Sequence, residues 1–309
     1  MIRRKDLKLG FSDMWGYNQY TFNQKQNYFT HLLSLRYNVI IDNDNPELLI
    51  FSCFGKDHLN YNCKKLFFCG ENTREDPPRR VIRPSAEYCN AALSQFPDTD
   101  LNRYFPLWCL FINWFCHQMP YDLPSNPTFL TSIKSLSVIN RSVSRLPKNF
   151  CVFLNNNPVE DRVELFKSLS TIGKVDSYGK LLNNTGHVLR GSEKEKIELL
   201  KEYRLTIAFE NSYEPGYNTE KIIHPYSANS VAIYSGGLDR SIFNSKSLFY
   251  KDDYSSIGEM VEHIGMHEAD HRLYEQKLKE PLFKEDRIPL QFRPLEVLKW
   301  IVDKCCLDD

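Results

Sequence analysis

The sequence predicts an α/β chain built from two successive Rossmann-like domains facing each other across a cleft. Three observations carry that expectation. Short unbroken apolar runs alternate with amphipathic segments; the pattern occurs twice; and a stretch rich in Pro, Ser and Asn (118–149) separates the two blocks. Apolar runs without polar alternation are what parallel strands covered on both faces show. Their interleaving with helices favours βαβ units over a sandwich or a bundle. A length of 309 residues suits two ordinary domains. The boundary is expected near 147, with an N-terminal domain and linker over 1–146 and a C-terminal domain over 147–309 that includes the last helix.

The elements follow in order. LKLGFSD (7–13) starts with a strand, and FNQKQNYFTHLLSLRY (22–37) is expected to be mostly helical. NVIID (38–42), ELLIFS (47–52) and KLFFCG (65–70) are further strands, and RYFPLWCLFINWF (103–115) is ambiguous. In the second block FCVFL (150–154) is a strand. The following helix carries Val159, Val163, Phe166 and Leu169 on one face, with Asn157 as N-cap and Pro158 at the first helical position. SEKEKIELLKEY (192–203) is a helix opened by a Ser192–Glu195 capping box. LTIAF (205–209) and VAIYSGG (231–237) are strands, and the helix between them is expected to kink at Pro225, whose ring nitrogen has no hydrogen to donate. A last helix runs over about 295–305.

Composition narrows the function classes. Lys plus Arg and Asp plus Glu are both 39, so the chain lacks the bulk positive charge of a nucleic-acid binder. The nine Cys form no C-x-x-C pair and several lie in apolar runs. They read as reduced, buried thiols of a reducing compartment, with neither a disulfide framework nor a zinc cage. No apolar signal-peptide core follows MIRRKDLKLGF and no 18-residue apolar run occurs. The expected location is the cytoplasm, with peripheral attachment at a membrane as the alternative.

In doubly wound sheets ligands sit outside the carboxyl ends of the strands. That rule selects SDMWGYNQY, CGENTRED, NNNPVEDR and FENSYEPGYNTEK (209–221). The last segment leaves a strand and enters a helix near Thr219, where a helix N-terminus and Lys221 suit an anion and Glu220 suits a diol such as ribose. Arg162 could fork onto phosphate oxygens. The alternative for each is a helix-start acid, a solvated lysine or a rim arginine paired to a nearby acid. Glu71, directly after KLFFC, is placed to take a proton from a hydroxyl.

FENSYEPGYNTEKII followed by VAIYSGG resembles the signature of the family 10 glycosyltransferases, the α1,3/α1,4-fucosyltransferases. FFCGEN, FSDMWGY and FLNNNPVEDR resemble other segments of that family, so the likeness covers most of the chain. It implies a GT-B fold, GDP-fucose as donor, an oligosaccharide or glycoconjugate acceptor such as a lipopolysaccharide glycan, inversion at the sugar carbon and no essential metal or other cofactor. It further implies Glu71 as general base, Arg162 and Lys221 on the diphosphate, Glu220 on the ribose, and Asn211 and Tyr217 as donor contacts. Trp15 and Tyr17 are expected to stack on the acceptor sugar. Two departures stand out: TREDPPRR follows GEN, altering the loop beside the base, and VAIYSGG lacks the family's Trp. No heptads or polybasic amphipathic tail follow the last helix, so no strong membrane anchor is expected.

Two other readings compete. HEADH (267–271) matches the H-E-x-x-H zinc-hydrolase motif, with His263 a further turn away. The alternative is an amphipathic surface helix. DND (42–44) and DTD (98–100) resemble metal motifs of other transferases but read as turn acids. A catalytically inactive glycan- or nucleotide-binding module is the third possibility. If Glu71 is not the base, Glu210 is the next candidate.

Overall fold

The computed structural model describes residues 4–14, 23–73, 83–115, 130–141, 146–189 and 193–308. It falls into two compact units. One comprises Met1–Leu110, Trp114–Asn126 and Pro289–Asp309; the other comprises Phe111–Asn113 and Pro127–Ile288.

The first unit contains β1 (Asp6–Ser12), α1 (Tyr28–Ser34), β2 (Asn38–Ile41), β3 (Leu48–Phe51), β4 (Lys64–Cys69), β5 (Ala91–Ser94) and β6 (Asn102–Tyr104). These strands form one parallel sheet of order β2-β1-β3-β4-β5-β6. β3 and β5 are buried at every position, which is why they read as unbroken apolar runs. The helix expected over 22–37 is shorter than predicted. The Asn27 side chain accepts from the Thr30 amide at 3.0 Å and caps α1, while Asn23 Oδ1 takes the amides of Lys25 and Gln26 and folds the preceding residues into a turn. Side-chain acceptors in this position compete with the helical ladder.

The ambiguous aromatic run divides into the end of β6, a 3₁₀ turn (Leu107–Phe111) and β7 (Ile112–Asn113). β7 pairs with β8 (Thr131–Ser132) in a two-stranded ribbon. The second unit continues with β9 (Asn149–Phe153), α2 (Glu160–Leu169), β10 (Val175–Ser177), α3 (Glu193–Leu200), β11 (Tyr203–Phe209), α4 (Glu220–Ser227), β12 (Val231–Ser235), β13 (Phe249–Tyr250), α5 (Ile257–Ala269) and α6 (His271–Leu278). Its parallel sheet has the order β10-β9-β11-β12-β13. From β9 the chain goes outward to β10 and returns to place β11 on the other side. The gap above β9 and β11 is therefore the topological switch point, where such sheets bind ligands.

α2 departs from expectation at its start and on its buried face. Val159, not Asn157, occupies the N-cap position, and no side chain caps it. The buried positions are Arg162, Leu165 and Leu169, rotated from the predicted Val159–Val163–Phe166–Leu169 stripe. Ser192 of the expected capping box lies outside the described residues. The final helix α7 (Pro294–Cys305) was expected with the second domain but belongs to the first unit. Its buried face of Val297, Leu298, Ile301 and Cys305 packs on α1, β4 and β5. Tyr37 and Arg36 hold Asp308 just beyond it, at 2.7 and 2.5 Å. Apolar periodicity shows that a helix must be buried but does not say on which sheet.

Candidate donor site

A hollow of about 190 Å³ opens at the switch point of the second sheet. Its lining includes Asn155, Asn156 and Asn157 after β9, Arg162 on α2, Asn211 after β11, and Glu220, Lys221 and His224 on α4. Of the donor residues expected from the sequence, the fold brings Arg162, Asn211, Glu220 and Lys221 around one space.

Arg162 is 1% exposed although charged. Its Nη2 donates to the Phe209 carbonyl at 2.6 Å and to Asn211 Oδ1 at 3.0 Å, and Nη1 donates to the Asn157 carbonyl at 3.3 Å. Nε has no partner. The guanidinium is thus held by neutral acceptors at the ends of two neighbouring strands, with no acid of the described residues in direct contact. The rim-arginine alternative does not describe it. Burial pushes its pKa below the ordinary arginine value, with Glu210 and Tyr217 opposing. An arginine stays charged under any such shift, and a buried guanidinium without a direct counter-ion attracts anions strongly.

The FENSYEPGYNTEK loop is closed from within. The Glu210 carboxylate accepts from the Thr219 amide at 2.8 Å, from Thr219 Oγ1 at 2.8 Å and from Tyr234 Oη at 3.2 Å. It also lies 3.3 Å from Lys221 Nζ. Thr219 in turn caps α4, its hydroxyl accepting from the Lys221 amide at 3.4 Å. The amides at the start of α4 are thereby partly used inside the protein, so the cationic side chains of Arg162, Lys196 and Lys221, rather than free N–H groups, are what the site offers an anion.

The remainder of the loop is fixed by backbone packing. Pro215 pairs with Gly237, and a Cβ at Gly237 would lie 1.7 Å from the Glu214 carbonyl oxygen. The SGG that ends β12 lets the loop backbone lie directly against it. Gly216 adopts φ 79°, a left-handed conformation that costs glycine nothing. Tyr213 donates to Asp252 at 2.8 Å. Residues 212–215 are therefore the seat of the loop.

Lys221 and Glu220 are each shifted toward the charged form. Burial disfavours the Lys221 ammonium, but Glu210 and Glu220 outweigh it and raise its pKa. Burial likewise opposes Glu220 ionisation, yet Lys221 and Lys196 hold its carboxyl well below the usual range. Lys196 on α3 donates to Glu220 Oε1 at 3.2 Å. Lys196 and His224 were not expected at the site. No local pattern marks them, because each reaches it through helix packing.

Tyr217 is buried at 4% exposure and is not among the lining residues. Its phenol lies close enough to Arg162 and Lys221 to interact with both cations. Glu71 follows β4 in the first unit, partly buried at the carboxyl edge of that sheet. Trp15 and Tyr17 lie outside the described residues.

The zinc motif does not assemble. α5 ends at Ala269, Asp270 caps α6 through the Arg272 amide, and His271 begins that helix. His267 Nδ1 lies 2.9 Å from the His263 carbonyl, while both Glu268 oxygens accept from Arg204 at 2.6–3.1 Å. Among the described residues no group of three metal-ligating side chains converges. The two acidic triplets are turn acids: Asp42 accepts from the Asn45 amide and Asp98 from the Tyr104 amide.

Comparison with known proteins agrees with this architecture. Residues 9–111 match the N-terminal domain model of the α-(1,3)-fucosyltransferase FucT, and residues 144–279 match the C-terminal model of glycosyltransferase family 10 (fucosyltransferase). A Helicobacter pylori α-(1,3)-fucosyltransferase is 26% identical over 84% of this chain and 56% of its own length. A putative fucosyltransferase of Acanthamoeba polyphaga mimivirus is 34% identical over 43% of the chain and 24% of its own. The chain thus spans about half the length, or less, of these curated relatives. A solved α1,3-fucosyltransferase superposes with a TM-score of 0.74 at 20% identity, covering 100% of this chain and 91% of the other. A solved α1,3-fucosyltransferase with GDP-fucose gives 0.70 at 20% identity, covering 99% of this chain and 92% of the other. The fold is the GT-B fold of those structures.

Proposed function

The chain belongs to glycosyltransferase family 10, the fucosyltransferases, and from that premise we propose that it transfers L-fucose from GDP-β-L-fucose to a hydroxyl of an acceptor glycan. The acceptor sugar is an N-acetylglucosamine of a Lewis or N-acetyllactosamine-type oligosaccharide, linked α1,3 or α1,4. The names of the relatives favour α1,3.

The observation that carries the donor assignment is the convergence of Arg162, Asn211, Glu220 and Lys221 at the switch point of the second sheet. In the proposed reaction Glu71 takes the acceptor proton as its oxygen attacks the anomeric carbon. The bond from that carbon to the β-phosphate oxygen breaks, and GDP departs with the electron pair. Positive charge develops on the sugar, as in glycoside chemistry, and negative charge develops on the leaving diphosphate. Arg162 and Lys221 are fixed before that charge appears, so they favour the transition state over the bound ground state. Glu220 takes the ribose hydroxyls. Glu71 is preferred to Glu210 as base because the Glu210 carboxylate is enclosed and already accepts from Thr219 and Tyr234.

The test is transfer from GDP-fucose to N-acetyllactosamine, with product linkage read by NMR. GDP-fucose consumption no faster than without protein, across a panel of such acceptors, overturns the assignment.

A further inference from the structure

We infer that His224 is a specificity-determining residue of the donor hollow, presenting an unpaired ring nitrogen to the nucleobase of a bound nucleoside diphosphate. The inference rests on the donor-site reading above and extends it to a residue that reading does not use.

His224 is 0% exposed and lines the hollow. Neither ring nitrogen makes a hydrogen bond. The Glu193 carboxylate lies 3.2 Å from Nδ1, but out of hydrogen-bond geometry, and among the described residues Nε2 has no hydrogen-bond partner. The edge of the Phe111 ring meets the imidazole with centroids 5.6 Å apart. An imidazole buried without a hydrogen bond carries a desolvation cost that native proteins rarely leave uncompensated.

Position on the helix says which part of a ligand it faces. Thr219 and Lys221 open α4, Glu220 is its first residue, and His224 follows Glu220 by four. Residues four apart stack on one helix face. A nucleotide whose diphosphate meets Arg162 and Lys221, and whose ribose meets Glu220, would extend one further turn to His224. The lining also includes the apolar side chains of Leu154, Leu200 and Pro225, a surface suited to the face of a base.

The charge state also suits a base. Burial holds the His224 pKa well below the ordinary histidine value, helped by Lys196 and Lys221 and opposed by Glu220. A neutral imidazole has one donor and one acceptor, the complement of a heteroaromatic edge. A phosphate needs only donors, which Arg162 and Lys221 already supply.

The test is isothermal titration of GDP, ADP and UDP into the intact chain and into His224→Phe and His224→Gln. Phe keeps a ring against Phe111 without nitrogens; Gln keeps a neutral donor and acceptor. The wild type is expected to prefer one base, the Phe variant to reduce that preference by about tenfold or more, and Gln to retain part of it. If the Phe variant fails to fold, a changed base preference in the Gln variant supports the inference and an unchanged one overturns it. A preference identical in the Phe variant and wild type, or an equal loss for all three nucleotides, overturns it and marks His224 as a packing residue. No base preference in the wild type overturns it while leaving the donor site standing. A wild type that binds no nucleoside diphosphate removes both. A preference for a base other than guanine contradicts GDP-fucose as donor, and the same variants then judge His224 by that base.

Discussion

Glu210 and Thr219 lock the two ends of the loop together: one buried carboxylate holds both the amide and the hydroxyl of the residue that caps α4, at 2.8 Å each. Removing the carboxylate leaves the Thr219 amide without its acceptor and leaves the Lys221 ammonium with Glu220 and the Thr219 hydroxyl alone. Glu210→Ala is expected to destabilise the second unit by about 3 kcal/mol, the usual cost of breaking a buried charged network, and to weaken GDP binding in parallel. Thermal unfolding with and without GDP checks both. An unchanged melting temperature would show that the loop is held by its backbone contacts alone.

Thr219 itself acts as a side-chain cap. Thr219→Ala should cost about 1 kcal/mol, and Thr219→Ser should restore most of it. The comparison of the two melting temperatures separates the hydroxyl from the methyl group.

Arg162 is held in a planar fork between the Phe209 carbonyl and Asn211. Lysine cannot reproduce that geometry. Arg162→Lys is expected to lower kcat by about a hundredfold, the scale of losing one preorganised charge-stabilising donor, with a smaller rise in the donor KM. A raised KM with kcat unchanged would assign Arg162 to ground-state binding only.

Glu71→Gln should reduce transfer by about a hundredfold or more, the lower end of what a positioned base contributes. GDP affinity should be unaffected. Full turnover in this variant would move the base elsewhere.

The pH dependence of stability has a definite sign at His224, which faces Glu193 and Lys196 of α3 and Glu220 and Lys221 of α4. Its folded pKa lies well below the ordinary 6.5, so below pH 6.5 the unfolded chain takes up a proton that the folded chain refuses. Stability from this site therefore falls as pH drops below 6.5, by about 1.4 kcal/mol per pH unit. Glu220, whose pKa is depressed, keeps its contribution throughout that range and loses it only below the ordinary carboxylate range. Melting temperatures between pH 7 and 5 should fall more steeply for the wild type than for His224→Gln; parallel curves would contradict the assignment.

Much of the molecule was legible in its local patterns. Unbroken apolar runs marked the strands, since a strand covered on both faces has no polar side to show. The polar segments after those strands included Asn155, Asn156, Asn157, Arg162, Asn211, Glu220 and Lys221, which line the hollow. FENSYEPGYNTEK announced a ligand loop, and its resemblance assigned roles to Asn211, Glu220 and Lys221, which line one hollow. Local pattern was thus enough for the fold class, the order of the elements and the segment that carries the candidate donor site.

Tertiary structure decided what depends on partners far along the chain. Arg162 and Phe209 lie 47 residues apart, and only the pairing of β9 with β11 brings the guanidinium to that carbonyl. The same holds for Lys196 reaching Glu220 from α3, and for α7 covering the first sheet. Glu210 looked like a spare base, but its acceptor sites are used by Thr219 and Tyr234. Periodicity records which face must be buried; it does not record what a buried polar group will meet. That depends on packing, because the cost of burying a charge is offset only by partners the folded chain supplies.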